Sequence, residues 1–399
     1  METDHFTMRT ATLLLILALA AMAQEEWAEL RQKSAALVSQ GKYAEAEPLL
    51  QRAVELQERA LGADDPRLAP AVDSLAAVYR AEGRNADAEK LYLRALAIKQ
   101  KAAGPDSAEL IDTLRPLASV YVALQRFTDA ELTYLRVIAI GEKARGFDDP
   151  EVANYCAAIA GFYIDRKRFA VAEPNLKRAI LIIEKRLGPQ DLALVPVLDS
   201  LAGIYTVQKL FNLAEAPLRH LLSIQESTYG PSDEKVATYL DKLAQTLYLL
   251  ERYAEAEPIY KRSLPIWEAV LGGDNPELAT TLDNLAVVYA AQQKFSLAEP
   301  LYRRSQALRQ KANVLSLNNL ALVLESKGDR GEAEVQYKRS IALAERIPAL
   351  SGSASVGETA LLATTLRNYA ALLRQVKREA EAARIDERVQ RLERTAPAR

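Results

Sequence analysis

The chain has 399 residues, 49% of them hydrophobic, and a formal net charge of −2. That is enough apolar material for a large core or a long repeat array. Its 51 basic and 53 acidic residues balance, without the basic excess that marks a nucleic-acid binder. One cysteine and two histidines exclude an intramolecular disulfide, most zinc sites and most Cys-His or Ser-His catalytic pairs.

In chain order, the first element reads as a secretory leader. Met8-Arg9-Thr10 is a short basic start, Ala11 to Ala21 an apolar run, and Ala21-Met22-Ala23 an A-x-A cleavage site. The run is too short to cross a hydrocarbon core of about 30 Å as a helix. Residues 1–23 are therefore expected to be a signal peptide cleaved after Ala23, giving a secreted or periplasmic product. Glu2 and Asp4 are odd in a basic leader, so Met8 is an alternative start. A buried N-terminal helix is the competing reading, and no other segment suits a membrane span.

From residue 24 to 395 the chain is periodic. An Ala-Glu pair recurs at Ala46, Ala88, Ala130, Ala172, Ala214, Ala256 and Ala298, each 42 residues from the last, and again at Ala333 after a step of 35. Gly62, Gly104, Gly146, Gly188, Gly230 and Gly272 form a second series at 42, and Ala76, Ala118, Ala160, Ala202, Ala244 and Ala286 a third. Internal repetition of this kind marks a solenoid or array. Each unit holds two helical patterns, the alanines marking where helices approach closely. The glycine predicts a left-handed C-terminal cap, and the Asp-x-Pro after it a turn into the next helix. The run YAEAEP opens the second helix at Tyr43 and again at Tyr253. Its proline recurs at Pro48, Pro174, Pro258 and Pro300 and is expected on the solvent face, as a bend rather than a stop.

Departures from the period mark the last third. The linker is missing between Gln310 and Leu317, leaving a unit shortened near 310–317. An insertion over 347–357 reads as a small-residue loop, and the charged segment 376–394 as a terminal cap helix. About nine units are expected. A long coiled coil, the rival for a period of 42, would not tolerate the recurring glycine and proline.

The spacing of Ala76, Tyr79, Ala88, Tyr92 and Ala95 resembles the tetratricopeptide repeat. The unit length, the linker Leu61-Gly62-Ala63-Asp64-Asp65-Pro66 and the Asn284-Leu285-Ala286 triplet are similar to the kinesin-light-chain type. The resemblance covers about residues 27–390. It implies an all-α, right-handed superhelical solenoid of antiparallel helix pairs, with a concave face, lined by the first helices, that holds peptides or partner proteins.

Catalytic constellations are not apparent. The repeat-equivalents of Cys156 are apolar, so it reads as a buried small hydrophobe, and His220 stands where other units carry arginine. Glu173–Lys177, Glu215–Arg219, Glu257–Lys261, Glu299–Arg303 and Glu334–Lys338 have the favourable i, i+4 order of helix-stabilising pairs. A hydrolase using paired carboxylates would need a defined pocket of acids, and no cofactor or metal is expected. The groove positions, on the family's geometry, begin at Asp73 and include Asp112 with Arg115, Asn154, and Asp199. They continue through Thr238 with Asp241 and Thr280 with Asp283 to Asn318 and Arg367, with Arg80 and Tyr248 one turn further along. The middle of this stripe is acidic. In the resembled family the asparagine of N-L-A often holds a peptide backbone; here Asn284, Asn319 and Asn368 match, and Ser74, Pro116, Ala158, Ser200 and Lys242 do not. Kinesin-type cargo recognition is therefore not supported. The expected function is a non-enzymatic scaffold or adaptor of the cell envelope or secreted space, binding a protein or peptide in the groove. A structural module of an envelope assembly, making contact through edges or end caps, is the alternative.

Overall fold

The computed structural model describes residues 26–351 and 356–395. The expected leader, residues 1–23, lies outside them. The described residues form helices joined by short turns, the all-α solenoid expected. The helices are α1 (26–39), α2 (Tyr43–Leu61), α3 (Ala69–Ala81), α4 (Asn85–Ala103), α5 (Ile111–Ala123), α6 (Phe127–Arg145), α7 (Pro150–Asp165), α8 (Phe169–Leu187) and α9 (Leu194–Val207). They continue as α10 (Phe211–Tyr229), α11 (Glu234–Leu249), α12 (Tyr253–Leu271), α13 (Leu278–Ala291), α14 (Phe295–Ser326), α15 (Arg330–Ser351), α16 (Val356–Gln375) and α17 (Glu379–Thr395). The chain divides into two compact units, residues 1–200 and 201–399.

Within each unit consecutive helices pack on one another, and first helices of successive pairs also touch: α3 on α5 in the first, α11 on α13 and α14 on α16 in the second. The periodic alanines sit at these approaches. Ala46, Ala76, Ala88, Ala118, Ala130, Ala160 and Ala172 in the first unit are wholly buried, as are Ala214, Ala244, Ala256, Ala286 and Ala333 in the second. A larger side chain there would push the helices apart.

Two turns alternate, each with its own backbone requirement. Between the helices of a pair, one residue takes true left-handed geometry: Gly83 at φ 79° and, without glycine, Gln125 at 59° and Lys167 at 56°. The amide that follows it closes a Schellman-type bond, as from Arg84 to the Tyr79 carbonyl at 2.8 Å. Between pairs the periodic glycine caps the second helix, and here the expectation needs correction. Gly146 has φ 94° but ψ 159°, an extended conformation that only glycine adopts readily, not the left-handed cap. The chain leaves the helix extended, and the next aspartate caps the following helix. Asp149 accepts the Glu151 amide at 2.8 Å, as Asp233 accepts that of Lys235 at 2.9 Å.

Pro48, Pro174, Pro258 and Pro300 lie inside helices and are exposed, so the amide each lacks leaves a carbonyl facing water. Where the linker is missing, no glycine or proline stops the helix. The chain runs on as α14, 32 residues long, its first half packed with α13 and its second with α15. The shortened unit is thus a fusion of two helices. The expected loop over 347–357 is also corrected: 347–351 end α15 and Val356 begins α16, while 352–355 lie outside the described residues. The terminal cap helix starts at Glu379, three residues later than expected, because Lys377 takes the left-handed turn at φ 60°.

Candidate binding groove

The first-helix residues expected to line a groove separate into two kinds. Several are tied into the fold. Asp73 on α3 accepts Lys99 Nζ of α4 at 2.8 Å and Thr113 Oγ1 of α5 at 2.9 Å, joining three consecutive helices. In the second unit Asp241 on α11 occupies the same register. It accepts Trp267 Nε1 of α12 at 2.9 Å, Thr281 Oγ1 of α13 at 3.1 Å and the Ser263 hydroxyl. Among the described residues no cation pairs with this carboxylate, and burial raises its pKa although the three hydrogen bonds oppose the shift. Asp283 pairs with Arg309 at 2.5 Å, and Arg367 with Glu393. Asn318 is buried and accepts from Asn368 at 3.0 Å, and Tyr248 packs on Tyr253 with ring centroids 5.5 Å apart. These side chains spend their polar groups inside the fold.

Others face solvent. Asn154 is exposed with a long contact of 3.4 Å to Glu151. Thr280 and Asn319 are exposed, while Asp199, Thr238 and Asn284 are half-buried, Thr238 donating to the Glu234 carbonyl at 3.0 Å. The acidic middle of the stripe is therefore not a row of free carboxylates.

In the first unit the structure gathers Arg80, Asp112 and Arg115 into one cleft of about 320 Å³. Pro116 and Ser119 of α5, Tyr134 and Val137 of α6, and Tyr155 and Ala158 of α7 complete it. Arg80 also reaches the buried Tyr92 hydroxyl. Arg115 and Asp112 are exposed and, among the described residues, neither makes an ion pair. The Arg115 guanidinium carbon stands 5.7 Å from the centre of the Tyr155 ring, whose burial pushes the phenol pKa up. Pattern reasoning on first helices alone misses Tyr134, Val137 and Tyr155. Its signal was available: arginine at a register position held by aspartate in four other units, and a glycine, Gly141, inside a helix.

Elsewhere the polar chemistry is structural. All five expected i, i+4 pairs form, from 2.6 Å for Glu299–Arg303 to 3.9 Å for Glu257–Lys261. The glutamate after the buried alanine of the second helix also binds the base that precedes the next pair's second helix, as Glu47 does Arg84 at 2.8 Å and Glu131 does Arg168 at 2.7 Å. Cys156 is fully buried, and burial pushes its thiol pKa up. Among the described residues no group of three or more His, Cys, Asp or Glu could hold a metal ion, and no helix is long and apolar enough to cross a membrane.

Tandem antiparallel helix pairs with small residues at the approaches define a helical-repeat protein. Family models of the tetratricopeptide repeat match residues 67–143, 194–266 and 235–311, and residues 30–67 and 314–347. The chain belongs to the tetratricopeptide-repeat family, with repeats like those of kinesin light chain. No curated protein matches it significantly. Among solved structures it is similar to BtubC (BKLC) from P. vanneervenii, at 20% identity over 57% of this chain and 90% of that one, with a TM-score of 0.44. It is also similar to the nearly identical TPR-like repeats of a kinesin-light-chain-type protein from Podosopora anserina, at 21% over 53% and 98%, TM-score 0.46. A third is aspartyl phosphate phosphatase F from Bacillus subtilis, at 14% over 93% and 94%, TM-score 0.42. Likeness at this level says nothing about function.

Proposed function

We propose that the chain is a non-enzymatic interaction scaffold that captures a partner protein or peptide on the face formed by its first helices. The observation that carries this reading is the cleft at Arg80, Asp112 and Arg115. Three successive helix pairs contribute to it, and it keeps charged groups unpaired in a fold that ties most of its polar side chains internally. Site-specific photo-cross-linking tests it. A cross-linker at Ser119 should trap the partner, and one at Asp87 on the opposite side of a pair should not. Trapping at Asp87 alone would overturn the groove reading. It would favour contact through edges, a second reading supported by Phe147 and Leu181, apolar side chains 69% and 65% exposed beside a shallow depression.

The proposal extends to location. The apolar run Ala11 to Ala21 and the A-x-A site at Ala21-Met22-Ala23 support export to the envelope or beyond. N-terminal sequencing of the native protein should find Gln24 first, and an intact Met1 or Met8 would overturn the assignment.

A further inference from the structure

The ties between first helices follow a register that the cleft interrupts. In two repeats an aspartate of the first helix takes a donor 26 residues on and a threonine 40 residues on: Asp73 with Lys99 and Thr113, Asp241 with Trp267 and Thr281. Asp283 keeps the first of these partners in Arg309, again 26 residues on. Where the neighbouring repeat abandons the tie, it does so with apolar residues: Ala157, Ile183 and Val197. The repeat between Asp73 and Ala157 reads Arg115, Gly141 and Tyr155 at the same three positions. Arg31 and Arg367 also put a positive charge at this register, but Arg367 keeps a partner 26 residues on in Glu393, and Arg31 stands by the Trp27 ring of its own helix.

The three replacements depend on one another. A β-carbon at Gly141 would lie 2.6 Å from Cε2 and 2.9 Å from Cδ2 of Tyr155, so the ring occupies the seat that Lys99 fills one repeat earlier. Nothing longer than glycine fits beside it. With neither donor nor acceptor left in the seat, the Arg115 guanidinium turns to solvent, over the Tyr155 ring and into the cleft. The fold does not need a cation there, since the alanine at Ala157 serves the next repeat. Two guanidinium groups face a single carboxylate, Asp112, across the cleft. The excess suits one negative charge, and a planar fork favours carboxylate geometry. Pro116, Val137 and the two tyrosines offer apolar surface beside it.

We propose that the Arg115 cleft is a subsite for the carboxylate of an acidic side chain in a bound peptide segment, with Tyr134 and Tyr155 packing against the carbon chain that carries it. This rests on the groove reading above and names the chemistry that groove selects. The full chain is titrated with a labelled, C-terminally amidated peptide containing a run of glutamates, with its glutamine counterpart, and with a glutamine peptide ending in a free carboxylate. The glutamate peptide should bind and the other two should not. Arg115→Gln and Arg80→Gln should each weaken binding about tenfold, as expected for loss of a charge-assisted hydrogen bond. Lys143→Gln, which removes the same charge from an exposed pair with Asp106, should leave binding unchanged, and thermal melts should show all three variants folded. No binding of the glutamate peptide, equal binding of the glutamine peptide, or Arg115→Gln binding like the parent would each overturn the proposal. Binding of the free-carboxylate peptide alone would overturn it in favour of a chain-end site. Partner trapping at Ser119 that persists through any of these failures leaves the groove reading standing without its acidic specificity.

Discussion

At the scale of single residues, the same register position carries different costs. Half-buried Asp73 meets a lysine and half-buried Asp241 a tryptophan, so of the two Asp241 loses water without gaining a countercharge. Its folded-state pKa is raised, chiefly by burial, so the folded state holds the proton more tightly than the unfolded chain does. Stability therefore falls as pH rises through the interval between the unfolded and folded pKa values. Asp241→Asn keeps an acceptor for Trp267 and Thr281, which share one carboxylate oxygen, and turns an amide donor to the Ser263 hydroxyl, without the charge. Thermal melts at pH 7 should show a rise of roughly 2–4 °C, the shift of about 1 kcal/mol in a unit of this size. The gain should vanish below the carboxylate's unfolded pKa, and a lower melting temperature at pH 7 would contradict the account. Glu334 behaves oppositely. Lys338 first, then Arg378 and the Tyr369 hydroxyl, hold its pKa down to about 2 against the opposing effect of burial. Its contribution is present above the ordinary carboxylate range and is lost as pH falls from 4.5 to about 2. Acid titrations of Glu334→Gln should lose less stability over that window than the parent. The Glu334–Lys338 pair was legible as an i, i+4 spacing, but none of the aspartate ties was. The partners stand 26 or 40 residues away, and the donor is lysine, tryptophan or arginine in turn, so no constant residue type marks them.

At the scale of elements, the period was legible because packing and capping both demand fixed residue types. Alanine is required at the helix approaches, glycine where φ is positive and ψ extended, and aspartate where an amide needs a cap. Asp149→Ala should cost about 1 kcal/mol, the usual loss of an N-cap, read as a fall in the urea midpoint. A change within error would mean that Pro150 at the first helical position already fixes the helix start. The fused helix α14 was legible only as a missing linker, because absence of a stop signal does not say which end of the gap yields. Asn313, exposed near the middle of α14, tests the continuity. Asn313→Pro should destabilise by about 3 kcal/mol or more, whereas Pro300 is tolerated in the same helix. Equal tolerance at 313 would mean that the two halves are joined by a turn in solution. The cleft was half legible for a related reason. First-helix positions could be read from the family's geometry, but Tyr134 and Val137 come from a second helix.

At the scale of the whole molecule, stability should be distributed along the stack. Within each unit the described helix pairs pack on their neighbours in sequence, so each unit approximates a sum of intrinsic and nearest-neighbour contributions. Two ladders of ion pairs cross the repeat junctions of the first unit, and they should differ in worth. The outer ladder joins Lys101 to Asp64, Lys143 to Asp106 and Lys185 to Asp148, with every partner at least 50% exposed; water and salt screen such pairs, so they contribute little. The other joins Arg84 to Glu47, Arg126 to Glu89 and Arg168 to Glu131, with carboxylates only 17–28% exposed. Each of these arginines also lies over a tyrosine, with guanidinium-to-ring distances of 3.8, 4.7 and 4.8 Å to Tyr79, Tyr121 and Tyr163, adding a cation–π attraction to each pair. Replacing the three lysines together with glutamine should therefore barely move the urea midpoint. Replacing the three arginines should lower it clearly, and nearly additively, since the junctions share no side chain. The ring contact also predicts a salt response. High salt should erase what the lysine ladder contributes and only part of what the arginine ladder does, because the stacked, half-buried pairs are screened less. Equal losses from the two triple variants at low salt would show that the tyrosine stack contributes nothing and that exposure alone does not rank these junctions.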